Sequence, residues 1–125
     1  MEFIEAPAFT RYLSDYLADD DYRRLQNQLA SNPGLGDVIP GSGGFRKLRW
    51  GDLRRGKGRR RGLRVIYYYF FAEQQLWFMT LYDKDEAADL TPREMKALKS
   101  AIEAELQARQ AERHVRERKP ERTRK

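Results

Sequence analysis

Basic side chains crowd one stretch of this sequence in a pattern suited to holding phosphate. Lys47 and Arg49 alternate with Leu48 and Trp50, Arg54, Arg55, Lys57, Arg59, Arg60 and Arg61 follow between Gly51 and Gly62, and Arg64 opens the next apolar run. Arginine presents a permanently charged planar fork and lysine a compact point charge; gathered on one surface, they neutralise a nucleic-acid backbone. Tyr82 and Lys84, at the end of a later apolar run, add a ring on which a base can stack and a further cation. Taken singly, Lys47 or Arg49 reads as an ordinary surface residue, and a solvated edge charge is the lesser of the two readings of Arg64, so the clustering carries the inference. Tyr67 reads as core, and Tyr82 equally as packing or stacking.

The rest of the inventory narrows the chemistry. There is no cysteine, and the one histidine, His114, stands in the charged C-terminal tail. A disulfide framework and a thiolate metal site are thereby excluded, and a reducing compartment is suited. Neither the His/Cys or clustered carboxylate ligands of a metal hydrolase nor the imidazole pair of a two-histidine ribonuclease is present, so the reading carries no metal and no cofactor. Lys and Arg number 25 against 19 Asp and Glu, a formal charge of +6. That balance suits a nucleic acid, an acidic membrane surface or an acidic protein and does not choose among them. The first residues, Met1 to Glu5, are acidic without a long apolar run, and the stretch from Val65 to Phe71 is far too short to span a bilayer as a helix. The expectation is a soluble, cytoplasmic protein with no membrane role.

The elements that must position these groups follow from periodicity. Phe3 and Ile4 before Pro7 read as a short opening strand. Phe9, Tyr12, Leu13, Tyr16 and Leu17 recur at three and four, as one buried helical stripe does. Asp19 reads as the N-cap of a second helix, with Asp20 and Asp21 beside its positive end and Tyr22, Leu25, Gln26 and Leu29 along it; Asn32-Pro33-Gly34 ends it. After the turn Pro40-Gly41-Ser42-Gly43-Gly44, strands are expected over Phe45 to Trp50, Leu63 to Phe71 and Leu76 to Tyr82. Thr91-Pro92-Arg93-Glu94 is a capping box with proline in the first helical position; Met95, Leu98, Ile102 and Leu106 give the last helix its stripe.

The expected fold is α+β: a small antiparallel-rich sheet with an N-terminal helical hairpin and a C-terminal helix on one face, in the order β-α-α-β-β-β-α. Residues 1–108 form the domain, and 109–125 form a charged helical extension that frays into a disordered basic tail from Pro120. Alternation puts Leu48 and Trp50 on one face and Lys47 and Arg49 on the other, while either set of the next strand, Val65, Tyr67 and Tyr69 or Arg64, Ile66, Tyr68 and Phe70, could be core. If Arg64 joins Lys47 and Arg49, the sheet face away from the helices is an open cationic surface with the basic loop at its rim.

The segments Gly43-Gly44-Phe45-Arg46-Lys47-Leu48-Arg49, Gly56-Lys57-Gly58, Gly62-Leu63-Arg64-Val65-Ile66-Tyr67-Tyr68 and Leu81-Tyr82-Asp83-Lys84-Asp85-Glu86, in this order, resemble the HigB-like branch of the RelE/ParE toxins. The helical hairpin and Asp89-Leu90-Thr91 before the final helix share in the resemblance, which spans roughly Phe3 to Leu106. It implies a microbial RNase (RelE-like) fold and a type II toxin-antitoxin mRNA interferase. Such an endoribonuclease works on the ribosome without metal: the ribose 2′-OH attacks the adjacent phosphate, basic residues stand where histidines usually do, and translation stops. It also implies ribosome and messenger RNA as partners and a cognate antitoxin, acidic and carried by a small helix-turn-helix protein. By position, Arg64 corresponds to the phosphate-stabilising arginine; Lys47, Arg49 and Lys57 to the basic cluster; Lys84 to the cation after the last strand; and Tyr82 to a stacking residue. The chain departs from the RelE pattern where Ala87, Ala88 and Asp89 stand instead of a tyrosine, which leaves the general base open between a lysine and a tyrosine whose pKa neighbouring cations depress. Two other readings share the residues: a ParE-like gyrase inhibitor, and a nucleic-acid-binding module without catalysis.

Overall fold

The computed structural model describes residues 1–51, 56, 58, 62–85 and 90–123, with side chains through Val115. The elements run β1 (Glu2–Glu5), α1 (Pro7–Tyr16), α2 (Asp19–Ser31), β2 (Asp37–Val38), β3 (Arg46–Trp50), β4 (Leu63–Phe70), β5 (Gln75–Asp83) and α3 (Pro92–Thr123). Among the described residues this is an α+β chain of three helices and one five-stranded sheet, ordered β1-β5-β4-β3-β2. Residues Met1–Leu90 form one compact unit and Thr91–Lys125 another. No helix among the described residues is long and apolar enough to cross a membrane.

The element order departs from expectation at β2. Asp37 and Val38 pair antiparallel with Lys47 and Arg46; a two-residue strand between Pro33-Gly34 and Pro40-Gly41 has no alternation to betray it. The sheet is also mixed, because β1 runs parallel to β5, Phe3 opposite Leu76 and Ile4 opposite Trp77, while the remaining pairings are antiparallel.

Residues from α1 and α2 meet one sheet face. Phe9, Leu17, Leu25 and Leu29 join Leu48, Trp50, Leu63, Val65, Tyr67, Leu76, Phe78 and Leu81 in a single buried cluster. Phe9 stacks on Phe78 at 4.7 Å, and Tyr22 meets the same ring edge-on at 5.6 Å. The Tyr22 hydroxyl donates to Glu5 Oε2 at 2.8 Å, and the Thr10 hydroxyl donates to Glu5 Oε1 at 2.7 Å, so one carboxylate ties the end of β1 to both helices. Burial, then the neighbouring Glu5 carboxylate, raises the Tyr22 pKa, which keeps that hydroxyl a donor.

Two helix boundaries shift. Asp19 lies inside α2 as its first residue, Ala18 stands at the N-cap, and no side chain caps it; Asp19, Asp20 and Asp21 still place three negative charges in the first turn. Helix α3 extends to Thr123 and so passes Pro120, whose ring removes one N–H donor from the last turn. At its start the capping box forms in both directions: Thr91 N–H donates to Glu94 Oε1 at 2.9 Å, and Glu94 N–H donates to Thr91 Oγ1 at 3.1 Å. Of its stripe, Ile102 is buried and Leu106 exposed.

The β4–β5 ladder carries an irregularity that decides the face of the end of β5. Ile66 faces Thr80, but Tyr67 faces Phe78, which leaves Met79 as an extra residue on β5. Such a bulge inverts which side of the sheet the residues beyond it occupy. Leu76, Phe78 and Leu81 thereby share the core, although strict alternation would separate Leu81 from the other two.

Tyr67, fully buried, fastens the loop between α2 and β2. Its hydroxyl donates to Pro33 O at 2.7 Å and accepts from Gly36 N–H at 2.9 Å. A Cβ on Gly36 would meet a Tyr67 ring carbon at 2.9 Å and the Lys47 carbonyl at 3.1 Å, so only glycine fits. Removing the hydroxyl in Tyr67→Phe leaves a buried N–H and a carbonyl without this partner, with an expected loss of about 1–3 kcal/mol. Urea titration should show a lower midpoint with unchanged slope; an unchanged midpoint would mean that the loop is held by something else.

Candidate nucleic-acid interface

Backbone register assembles the charged face. With Leu48, Trp50, Leu63 and Val65 turned to the helices, Lys47, Arg49 and Arg64 fall on the opposite side. Arg49 sits directly opposite Arg64 across β3 and β4, and Arg64 directly opposite Tyr82 across β4 and β5. These three side chains form one row over three strands, with cross-strand Cβ separations of about 4.5–5.5 Å typical of such pairs. Lys47 stands in the neighbouring row, with Asp37 on one side and Ile66 on the other. The bulge at Met79 is what brings Tyr82 onto this face.

Two features differ from an open cationic surface. Arg64 itself is buried, with 4% of its surface exposed, and Ile66 and Phe70 on the same face are buried as well. Part of the cover comes from an aromatic series along this face, in which Phe45 and Tyr68 lie 5.2 Å apart, Tyr68 and Phe70 4.9 Å, and Phe70 and Trp77 5.6 Å. Away from Arg64 these rings pack on one another and take apolar surface out of water, which is favourable in proportion to the area removed. Arg49 and Lys84 remain exposed, and Lys47 and Tyr82 are half-buried.

Arg64 sits in a field of opposed influences. Burial lowers its pKa from the ordinary arginine value, and the like charge of Arg49 lowers it further; Tyr82, Asp83 and Asp85 act the other way. It stays cationic at neutral pH, as arginine does. Its Nη1 donates to Leu63 O at 3.2 Å. An anion arriving at this row would relieve the repulsion between two arginines, which is the electrostatic condition for a phosphate site.

The turn after β5 is pinned on both sides of Lys84. Lys84 N–H donates to Gly62 O at 3.1 Å, and the Asp83 carboxylate accepts from Asp85 N–H at 2.7 Å. Lys84 is thus held at the start of β4, one residue from Leu63. Asp83 is fully buried and was not singled out from the sequence. A carboxylate two residues after Leu81, on the apolar phase of the strand, was the available signal.

Lys57 and the loop arginines Arg54, Arg55, Arg59, Arg60 and Arg61 lie outside the described residues. Among the described residues no three His, Cys, Asp or Glu side chains gather as metal ligands would. No known family model matches the chain.

The Arg49–Arg64 pair carries a direct expectation. Like charges directly opposite across a ladder are destabilising, so Arg49→Gln should raise folding stability by about 0.2–1 kcal/mol at low ionic strength. In 1 M salt, where the screening length is about 3 Å, most of that gain should vanish. Thermal or urea unfolding at two salt concentrations measures both; a loss of stability on substitution would show that Arg49 is held by attraction rather than opposed by Arg64.

Proposed function

We propose that this chain is the toxin of a type II toxin-antitoxin system, an endoribonuclease of the RelE/ParE kind nearest its HigB-like branch, cutting messenger RNA on the ribosome and so stopping translation. The observation that carries the reading is the row Arg49–Arg64–Tyr82 across three adjacent strands, with Lys47 one row away and Lys84 tied to the start of β4. It joins permanent cations to an aromatic ring on one sheet face, in a chain with no histidine pair to do the same work.

In the reaction the ribose 2′-oxygen bonds to the adjacent phosphorus, the bond from phosphorus to the 5′-oxygen breaks, and the chain ends in a 2′,3′-cyclic phosphate. The 2′-OH proton passes to a general base, a lysine or tyrosine of the cluster, and the leaving 5′-oxygen takes up a proton. Negative charge on the phosphate grows in the transition state. Arg64, already deprived of water and facing a like charge, gains most from it there. Arg49 and Lys47 hold flanking phosphates, Tyr82 stacks on a base beside the cut, and Lys57 and Lys84 complete the cluster as the resemblance implies. These five cations leave little for a metal or cofactor to supply. An acidic antitoxin and the ribosome are the partners, and the cytoplasm is where both would be met.

Binding without cutting is the second reading, favoured by Ala87, Ala88 and Asp89 standing where the RelE pattern has a tyrosine, since cations hold phosphate without a general base and cutting needs one. Product chemistry separates the two. Purified protein with translating ribosomes should yield messenger fragments with 2′,3′-cyclic phosphate ends, undiminished by a chelator. Arg64→Ala should lower kcat by about a hundred- to a thousandfold, with Arg64→Lys restoring only part, because a point charge cannot present the fork. Arrest of translation with intact messenger would overturn the nuclease reading, and a uniform weakening of RNA binding by Arg64→Ala, with a shallower salt slope and no cleavage by the parent, would establish the module.

A further inference from the structure

We infer that the distal part of α3, from Gln110 onward, is a basic arm that grips the phosphate backbone of a nucleic-acid duplex without regard to base sequence. It is a second contact, made by other residues than the row on the sheet, and it goes beyond the cutting reaction proposed above.

Helix α3 changes character at Arg109. Up to there, Met95, Leu98, Ile102, Glu105 and Arg109 recur at three and four and are partly or fully buried. Arg109 closes this stripe, with 14% of its side chain exposed and its Nε donating to Glu105 Oε1 at 3.0 Å. From Gln110 to Val115 every residue is exposed, and the helix nevertheless runs on to Thr123. At about 1.5 Å per residue, roughly 21 Å of helix lies beyond Arg109 with no apolar stripe to bury.

The stretch has charge instead. Gln110 to Lys125 holds seven Lys and Arg against three Glu, so it carries +4 of the chain's +6, and the other 109 residues share the rest. Glu112 precedes Arg116 by four and Arg113 precedes Glu117 by four, spacings at which opposite charges support a helix. Matching all three acids inside the helix still leaves an excess of four cations. Solubility is served by either sign, and better by acids, so it does not account for that excess.

What the arm lacks selects its partner. Ala111 and Val115 are its only aliphatic residues besides Pro120, and it has no aromatic ring. A helix that lies on a membrane needs a continuous apolar face. A protein interface needs apolar or aromatic anchors and little charge at its centre. Single-stranded nucleic acid is held by cations together with rings on which its bases stack. A duplex backbone needs cations alone: phosphates are dense along its axis, released counterions supply the affinity, and no base is contacted.

Two variants of the full chain change the charge and keep good helix formers. One combines Arg116→Gln, Arg118→Gln, Lys119→Gln and Arg122→Gln and makes residues 110–125 neutral; the other combines Glu112→Gln, Glu117→Gln and Glu121→Gln and takes them from +4 to +7. Circular dichroism checks the fold of each. Fluorescence anisotropy then follows binding to short labelled RNA duplexes of two base sequences, and to the matching DNA duplexes, between about 50 and 200 mM salt. The neutral variant should bind roughly tenfold or more weakly at the lower salt, with the slope of log affinity on log salt flatter by about three to four. The +7 variant should bind more tightly, which no loss of folding could produce, and the two base sequences should behave alike. A loss on both RNA and DNA, or on one of them, upholds the arm and names its source of phosphate. Unchanged duplex affinity in both variants overturns the inference, and so does a loss confined to vesicles rich in anionic lipid. If the parent cuts messenger while duplex affinity ignores both variants, the arm falls and the nuclease stands. If duplex affinity follows the arm's charge in a protein that cuts nothing, the arm stands and the nuclease falls.

Discussion

A guanidinium kept from water beside another guanidinium is costly, and the structure around it is arranged to offset that cost. Arg64 has lost nearly all its exposure, faces Arg49 directly, and depends on Tyr82, Asp83 and Asp85 for compensation. Buried charge is tolerated only where partners surround it. The surrounding structure supplies them from β5 and from the turn that follows, which is fixed by the Lys84 bond to Gly62 and by the buried carboxylate of Asp83. The central strand of the sheet thus carries a charge whose neighbours are set by register rather than by side-chain flexibility.

That register is fixed from the other face. Phe9, Leu25 and Leu29 select Leu63, Val65 and Tyr67 as the buried phase of β4, and everything on the opposite phase, Arg64 included, follows without further choice. Tyr67 extends the same control to the edge: its hydroxyl holds the Pro33–Gly36 segment, from which β2 departs to pair with β3. Arg46, turned to the same side, donates to Gly36 O at 2.7 Å. Core packing and the shape of the β3 edge are therefore one problem.

Most of the elements were legible because their periodicities are long: two helical stripes, three apolar strands and the capping box at Thr91 fall where the pattern puts them. The cationic phase of β3 and β4 was legible for the same reason, once Leu48 and Trp50 had been given to the helices. What escaped had no local pattern. Two residues cannot alternate visibly, so β2 was missed, and with it the placement of Asp37 opposite Lys47. Nor did the composition of the Arg64 face reveal its burial, since Ile66, Tyr68 and Phe70 could as well have been the core, and only the packed rings between Phe45 and Trp77 show that both phases of β4 are covered along much of their length.

The extra residue in β5 divides that strand into two segments whose sidedness is set separately. Up to Phe78 the strand answers to the helices; beyond Met79 the phase is reset, and Tyr82 emerges beside Arg64 rather than beneath α1 and α2. Substitutions that repack the first segment need not disturb the second, so the interior could drift over evolutionary time while the ring beside the arginine kept its post. One inserted amino acid works here as an insulator between the packing of one segment and the placement of the ring in the other.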